Sequence, residues 1–213
     1  MPPINMKKLY ILRHGQTLFN QKEMVQGQCD SRLTDLGIRQ SDAAGQYFKD
    51  QNIRFDSVYT SDLPRTEETL EQFYTGPHER RKGFRERSYG VYEGDSNLSL
   101  INIMANAKNA YGVLGIETDD SLVKRMKETL EEVMDQPGND TVLVVSHGDI
   151  MRTFADWVDE KKMSEYGFMP NCAIFEYDYD EKTKTFDLIG VIDQHVADIK
   201  AETIWKNFKK NEE

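Results

Sequence analysis

The sequence predicts an α/β fold with a mostly parallel central sheet. Three observations support this prediction. Strand-like and helix-like segments alternate through the first two thirds of the chain, which is the pattern of parallel sheets. The segment Thr141–Ser146 (TVLVVS) is apolar enough to be buried on both faces of a sheet. No Pro-, Gly- or Ser-rich linker divides the 213 residues, so we expect one domain over residues 1–213.

The first elements follow from local patterns. Lys8–Leu12 (KLYIL) is a short apolar run and predicts a buried strand. Thr34 is a suitable N-cap for a helix that continues to about Asp50. Phe55–Thr60 alternates like a strand, and Leu63–Tyr74 has the pattern of a helix. Glu79–Phe84 is a weaker, strongly charged strand that we expect near a sheet edge.

The second half begins with a long helical pattern, Ser96–Gln136, which is interrupted near Gly112–Asp120. Apolar residues recur at helical spacing in its second part, so an amphipathic helix is expected there. The remaining predicted elements are the strand Thr141–Ser146, a helix from there to about Val158, a strand pair at Ala173–Tyr179 and Phe186–Ile192, and an amphipathic segment at about Ala197–Lys209.

Charge and composition exclude several classes of partner. The formal net charge is −10, which argues against nucleic acid and anionic membranes because both require a basic surface. No apolar stretch approaches the roughly 18 residues of a membrane span. The two cysteines, Cys29 and Cys172, form no CxxC motif, which favours a reducing, cytoplasmic location. An anionic substrate would require arginines concentrated in one pocket.

Two histidines occupy matching positions in the predicted fold. His14 and His147 each follow a predicted strand and precede a glycine, Gly15 and Gly148. Ligands of parallel α/β sheets bind beyond the carboxyl ends of the strands, so both histidines should lie at one site. A single histidine at a strand end more often caps neighbouring carbonyls, but a second His-Gly pair favours a shared functional role.

A zinc site is the first alternative to weigh, because histidine is a common zinc ligand. Arg13 precedes His14, and Arg65 falls in the first turn of the helix after the second predicted strand. Arginines repel a cation, and no cysteine or clearly placed carboxylate completes a ligand set. We therefore expect no metal, and a pocket in which the arginines bind an anion such as phosphate.

These residues form part of a recognisable set of motifs. The string Leu12-Arg13-His14-Gly15-Gln16-Thr17, with Asn20, resembles the signature of the histidine phosphatase superfamily, also called the phosphoglycerate mutase-like superfamily. The resemblance implies a three-layer α/β/α fold with a helical lid at about residues 96–120. It continues through Gln26-Gly27, Leu33-Thr34-x-x-Gly37, Thr60-Ser61-Asp62-x-x-Arg65-Thr66, Arg85-Glu86-x-x-x-Gly90-x-x-Glu93-Gly94 and Val145-Ser146-His147-Gly148.

The resemblance also implies a role for each site residue. His14 is expected to attack phosphorus and become phosphohistidine, while Glu86 donates a proton to the leaving group and later takes one from water. Neither a cofactor nor a metal is required. The residues expected to bind phosphate or substrate are Arg13, Arg65, His147, Asn20, Gln26, Gly27 and Gly148, although Gln26 and Gly27 are equally compatible with ordinary loop positions.

Without the resemblance, two of these residues would be interpreted differently. Glu86 lies in a stretch with four arginines and would be taken for a solvated charge. Arg65 would be an exposed helix residue paired with Glu68, three positions on and so on the same face. Asp149 differs from the commonest family choice after His-Gly and puts a negative charge beside the phosphate pocket. We expect it to cap the helix that begins there.

The resemblance leaves a choice between hydrolase and mutase. Glu86–Gly94 (ERSYGVYEG) resembles the phosphatase branch more than the cofactor-dependent phosphoglycerate mutases, whose extra insertion is missing. We expect a hydrolase of a small phosphorylated metabolite, with a mutase as the alternative. A non-catalytic phosphate-sensing module is the other alternative, although every expected catalytic residue is present. Ile204, Trp205 and Phe208 would pack on this domain or on a second subunit, so a homodimer stays open.

Overall fold

The computed structural model describes residues 6–106, 111–167 and 169–199. Within these ranges, six strands form one sheet. In chain order they are β1 (Lys7–Arg13), β2 (Ser57–Ser61), β3 (Glu79–Arg81), β4 (Thr141–Ser146), β5 (Ile174–Asp180) and β6 (Thr185–Ile192). Their spatial order is β3-β2-β4-β1-β5-β6. The first four strands in this order are parallel to one another, and β5 and β6 are antiparallel. The mostly parallel sheet is therefore confirmed.

Helices surround the sheet. They are α1 (Leu18–Gln21), α2 (Asp35–Asp50), α3 (Pro64–Glu71), α4 (Asn97–Asn106), α5 (Tyr111–Leu114), α6 (Asp119–Met134) and α7 (Gly148–Met163). The predicted N-cap of α2 is confirmed, since the Thr34 hydroxyl accepts a hydrogen bond from the backbone N–H of Gly37. No helix in these ranges is long and apolar enough to cross a membrane.

Alternation along the central strands produces two cores. Leu9 and Ile11 of β1 pack with α6 and α7 on one face, and Tyr10 and Leu12 pack with α2 and α3 on the other. Side chains of a strand point alternately to opposite faces, so a strand covered on both sides must be apolar throughout. This arrangement confirms the three-layer architecture and explains why β1 and β4 have continuous apolar sequences.

Two predicted elements differ from the structure. The strand predicted at Glu79–Phe84 is an edge strand as expected, but it ends at Arg81. A 3-10 turn over Lys82–Phe84 follows, which buries the Phe84 ring completely. The helix predicted to end near Val158 continues to Met163 across a kink at Asp159, where φ is −152° and ψ is 81°.

The helical segment before β4 is divided into three. Helices α4 and α5 share a small apolar cluster with Val25, Tyr89 and Ile116, and α6 belongs to the main core. The role of residues 96–120 as a lid stays a prediction, as does the single domain over residues 1–213. The predicted amphipathic segment at 197–209 lies outside the described residues from position 200 onward.

Candidate active site

The two histidines expected to meet lie next to each other. Parallel pairing of β1 with β4 puts Arg13 opposite Ser146, so the residues that follow, His14 and His147, leave the sheet at the same level. The backbone N–H of His14 donates to the carbonyl of Ser146 over 3.0 Å. The two imidazole rings are 5.3 Å apart between centroids, with 62° between their planes. Both rings are almost completely buried.

A cavity of about 330 Å³ opens at this edge of the sheet. Most of the predicted site residues line it, namely Arg13, His14, Asn20, Gln26, Glu86 and Gly148. The lining also contains Asp149, which was expected beside the pocket, and residues that sequence reasoning did not assign to the site, which are Met24, Val25, Tyr89, Asn97, Leu100, Arg152, Gly167 and Met169. Arg65, His147 and Gly27 lie behind this surface.

Hydrogen bonding determines which nitrogen of His14 carries a proton. Its Nδ1 lies 2.8 Å from the carbonyl oxygen of Gly15. A carbonyl can only accept, so Nδ1 is the protonated nitrogen and Nε2 of the neutral ring keeps its lone pair. Burial lowers the pKa of His14 well below 6.5, and the charges of Arg65 and Arg13 lower it further. The neutral, nucleophilic form is therefore favoured at neutral pH.

His147 has the opposite tautomer. Its Nδ1 accepts a hydrogen bond from Nε of Arg65 over 3.1 Å, so its proton resides on Nε2. That Nε2 is buried and has no hydrogen-bond partner among the described residues. Burial and the Arg65 charge lower the pKa of His147 well below 6.5. A buried donor without an acceptor costs free energy, which an anionic ligand beside His14 would recover.

Arg65 is fully buried, so the interpretation as an exposed partner of Glu68 is wrong. Besides Nε, its Nη1 donates to the carbonyl of Cys29 and to a carboxylate oxygen of Asp30, and its Nη2 donates to the carbonyl of Gly27. Guanidinium has five N–H groups, and these bonds use four of them. Among the described residues, one Nη2–H of Arg65 has no acceptor and can bind a ligand.

Gly148 makes room for Arg13. A Cβ added at Gly148 would lie 3.0 Å from Nε of Arg13 and 3.1 Å from its Cζ, which is tighter than ordinary van der Waals contact. The Arg13 guanidinium also donates from Nη1 to the carbonyl of Met169 over 2.6 Å. Because residue 148 has no side chain, the Arg13 guanidinium can lie against the N-terminus of α7. The N-terminus of a helix favours anions, so both groups suit a negatively charged ligand.

Glu86 is buried rather than solvated, with 5% of its surface exposed. Its carboxyl accepts hydrogen bonds of 2.9 Å from the backbone N–H groups of Arg87, Asp149 and Ile150. It therefore caps the first turn of α7 from another part of the chain. Burial raises the pKa of Glu86, and the Asp149 carboxylate raises it further. The three backbone hydrogen bonds lower the pKa, but the net shift is upward. A raised pKa suits a group that must hold a proton.

Asp149 does not cap α7, and that expectation is corrected. It is the second residue of α7, and its carboxylate accepts from Nε of Arg87 at 2.6 Å, from the Tyr89 hydroxyl at 2.7 Å and from the Thr153 hydroxyl at 3.0 Å. Burial alone would raise the pKa of Asp149, but Arg87 and these bonds lower it overall. The first backbone N–H groups of α7, those of Asp149 and Ile150, are bound by Glu86 instead.

Asn20 and Gln26 line the cavity with part of their amide groups already used. Asn20 Oδ1 accepts from the backbone N–H of Thr17 and from Nδ2 of Asn171. Gln26 Oε1 accepts from the Thr17 hydroxyl, and its Nε2 donates to the Ser31 hydroxyl. Because both amide oxygens are occupied, the amide N–H groups are what these residues can offer a ligand, which suits an anion.

Gly27 is closely packed and does not line the cavity, so its role in binding substrate stays a prediction. Its N–H donates to Glu93 and its carbonyl accepts from Arg65. A Cβ here would lie 2.3 Å from the carbonyl oxygen of Arg87 and 2.7 Å from the Tyr89 ring. Glycine is required at this position because the Arg87 backbone and the Tyr89 ring lie so close to it. This close packing holds the Gly27 carbonyl against Arg65.

Sequence reasoning missed some cavity residues that carried a recognisable signal and others whose place depends on tertiary contacts. Arg152 is one turn after Gly148 on α7, so helical spacing alone could have identified it. Tyr89 belonged to a quoted motif without an assigned role. Asn97 and Leu100 lie on α4, whose position over the cavity is decided by tertiary contacts. No group of three or more His, Cys, Asp or Glu side chains suited to a metal ion occurs within the described ranges.

Comparisons with known proteins agree with this geometry. A family model described as histidine phosphatase superfamily (branch 1) matches residues 9–192. A broad-specificity phosphatase from Saccharomyces cerevisiae is 29% identical over 206 residues, which cover 91% of this chain and 89% of that protein. A probable phosphoglycerate mutase from Yersinia pestis is 28% identical over 197 residues, covering 83% and 86%. The crystal structure of a phosphoglycerate mutase from Bacillus anthracis superposes with a TM-score of 0.77 at 24% identity, covering 92% and 98%.

Proposed function

Because this chain belongs to the histidine phosphatase superfamily, we propose that it hydrolyses phosphate monoesters of small metabolites through a phosphohistidine at His14. The observation that carries the proposal is the tautomer of His14. Its Nδ1–H is held by the Gly15 carbonyl, so the lone pair on Nε2 is available in a cavity that also contains the buried carboxyl of Glu86. The nucleophile and the proton donor therefore line the same cavity.

The first half-reaction transfers the phosphoryl group from the substrate to His14. Nε2 of His14 forms a bond to phosphorus as the bond from phosphorus to the alcohol oxygen breaks. Arg13, one N–H of Arg65 and Nε2–H of His147 bind the non-bridging oxygens, whose negative charge they stabilise in the transition state. Glu86 gives its proton to the leaving oxygen, which departs as the alcohol.

The second half-reaction releases phosphate. Glu86, now ionised, takes a proton from a water molecule whose oxygen attacks phosphorus. The bond from phosphorus to Nε2 of His14 breaks, the ring recovers its lone pair, and inorganic phosphate leaves. Glu86 ends with the proton it gave away. The amide N–H groups of Asn20 and Gln26 are further candidates to hold the phosphate.

The supporting experiment uses protein treated with EDTA and p-nitrophenyl phosphate as the substrate. We expect hydrolysis without added metal, and a loss of at least about a thousandfold in kcat for His14→Ala. His78→Ala is the matched control because His78 is bonded to Glu67 and does not line the cavity. Rapid quench should trap a phosphoenzyme in the parent and none in His14→Ala. Undetectable hydrolysis across pH 5–8 would reject the proposal.

A mutase is the second candidate, because relatives named probable phosphoglycerate mutases are nearly as similar as the yeast phosphatase. A mutase must keep its phosphohistidine from water until the phosphoryl group returns to the substrate. Isomerisation of 3-phosphoglycerate, measured with and without 2,3-bisphosphoglycerate, separates the two activities. Isomerisation faster than phosphate release would favour the mutase.

Location and assembly are also proposals. Cys29 and Cys172 are both free thiols, which supports a reducing, cytoplasmic compartment. The acidic net charge argues against nucleic acid as the partner, and the arginines that line the cavity support a small phosphorylated substrate. A homodimer stays open, and light scattering of the purified chain would decide between one copy and two.

A further inference from the structure

Asp149 lies on the side of the cavity where the alcohol of the substrate must sit. Its backbone N–H donates to Oε2 of Glu86 over 2.9 Å, and Glu86 is the group proposed to reach the leaving oxygen. Asp149 is one of the residues that line the cavity, and its carboxylate side chain is partly exposed. A substrate whose leaving oxygen meets Glu86 therefore brings the rest of its alcohol close to Asp149.

This carboxylate is held rigidly and stays ionised. Arg87 binds it from a buried position with 1% of its surface exposed, and the Tyr89 hydroxyl donates to it over 2.7 Å. The hydroxyl has one proton, so the phenol oxygen offers only lone pairs to the cavity. Each Asp149 oxygen already accepts two hydrogen bonds, from Arg87, Tyr89 and Thr153, so this place presents the Asp149 charge and the free lone pairs of the Tyr89 oxygen.

The cations nearby are already engaged. Arg87 pairs with Asp149 and also with Asp119 at 2.8 Å. Arg152 lines the cavity, but its guanidinium pairs with Asp156 and donates to the carbonyls of Met163, Tyr166 and Gly167 at 3.2–3.3 Å. A second anionic group on a substrate would meet Arg87 only by displacing a partner, because all five of its N–H groups are used. Arg152 uses four of its five N–H groups, and its charge is already paired with Asp156.

We infer that Asp149 is a specificity-determining residue, which selects phosphate monoesters of neutral or cationic alcohols and rejects alcohols that carry a second anion. Hydroxyl or amino groups of the alcohol would donate to the Tyr89 oxygen beside Asp149, while the Asp149 charge repels a carboxylate or second phosphate. Apolar side chains of Met24, Val25 and Leu100 complete the lining and accommodate carbon atoms of the alcohol. This inference rests on the proposed hydrolase function.

A matched pair of substrates tests it. Glycerol 3-phosphate and 3-phosphoglycerate differ in one group, a hydroxymethyl against a carboxylate, and both need the same proton from Glu86. We expect the parent enzyme to prefer glycerol 3-phosphate by at least about tenfold in kcat/KM. Asp149→Asn should reduce this preference at least about threefold, because the repulsion is removed. Asp120→Asn is the control, since it removes the same charge from an exposed position outside the cavity.

The outcomes separate the two proposals. No hydrolysis of any ester, p-nitrophenyl phosphate included, would overturn the hydrolase function and this inference with it. Hydrolysis of p-nitrophenyl phosphate with a parent preference for 3-phosphoglycerate would overturn this inference alone. A folded Asp149→Asn with an unchanged preference would also overturn it. Should that variant fail to fold, Asp149→Asn/Arg87→Gln removes both charges of the pair and must show the same reduced preference.

Discussion

Arg65 donates a hydrogen bond from Nε to Nδ1 of His147 over 3.1 Å, and both side chains are completely buried. An arginine expected to act only on phosphate therefore also determines which nitrogen of the neighbouring histidine carries the proton. Neutral imidazole has one donor and one acceptor nitrogen. With Nδ1 as the acceptor, Nε2–H is the group left to bind an oxyanion.

Arg65→Lys should separate charge from geometry at this position. Lysine keeps the positive charge but cannot donate to His147, Cys29 and Gly27 in one plane. We expect kcat/KM for p-nitrophenyl phosphate to fall at least about a hundredfold. Unfolding free energy should also decrease by about 2–4 kcal/mol, because buried carbonyls lose their donors. Urea unfolding measures the second effect. Arg54→Lys, at an exposed position, is the control, and a fully active Arg65→Lys would contradict the role.

Histidine titration by NMR checks the protonation states directly. Burial, with Arg65 and Arg13, holds the pKa of His14 well below 6.5, and burial with Arg65 does the same for His147. Both rings should keep neutral chemical shifts as the pH falls through 6.5, with assignments from His14→Ala and His147→Ala. The unfolded chain binds protons at these two histidines in this range while the folded chain does not, so the stability that they contribute must fall as the pH drops below 6.5. Protonation of either ring near its ordinary pKa would contradict the lowered pKa of that histidine.

Glu86→Gln tests proton donation through the leaving group. The single amide oxygen of glutamine can still accept hydrogen bonds from the backbone N–H groups of Arg87 and Ile150, so the N-terminus of α7 should stay partly capped, while the Asp149 N–H loses its acceptor. It cannot supply a proton. An alkyl phosphate such as glycerol 3-phosphate should lose about 10²–10⁴ in kcat, whereas p-nitrophenyl phosphate, with its stable phenolate, should lose much less. Equal losses for both substrates would show that Glu86 does not protonate the leaving oxygen.

Two glycines should respond differently to alanine. Gly148→Ala puts a methyl 3.0 Å from the movable Arg13 guanidinium, so we expect KM to rise about tenfold with little change in stability. Gly27→Ala puts a methyl 2.3 Å from a backbone oxygen, so it should destabilise the fold by about 1–3 kcal/mol or more. Gly112→Ala, with open space around it and an ordinary φ, is the control. Thermal unfolding and steady-state kinetics distinguish these results, and a loss of stability in Gly148→Ala as large as in Gly27→Ala would contradict this explanation.

The local sequence pattern was sufficient to predict an element wherever a single interaction dominated the formation of that element. The continuous apolar runs of β1 and β4 required a sheet covered on both faces, and Thr34 marked the start of α2. Local pattern failed at Glu79–Phe84, where the need to bury Phe84 ended the strand early. It failed again at Asp149, because a polar residue at a helix start normally caps that helix, while here a distant carboxyl satisfies the same N–H groups.

The sequence by itself determined the sheet, the two His-Gly strand ends and the identity of the groups able to perform the chemistry. These depend on periodicity and on residue type, which can be recognised along the chain. Only the tertiary structure decided which nitrogen of each histidine is protonated, that Glu86 is buried at the start of α7, and that Asp149 turns to Arg87 and Tyr89. Those properties arise from burial and from hydrogen bonds between residues far apart in the chain, and neither leaves a local signal.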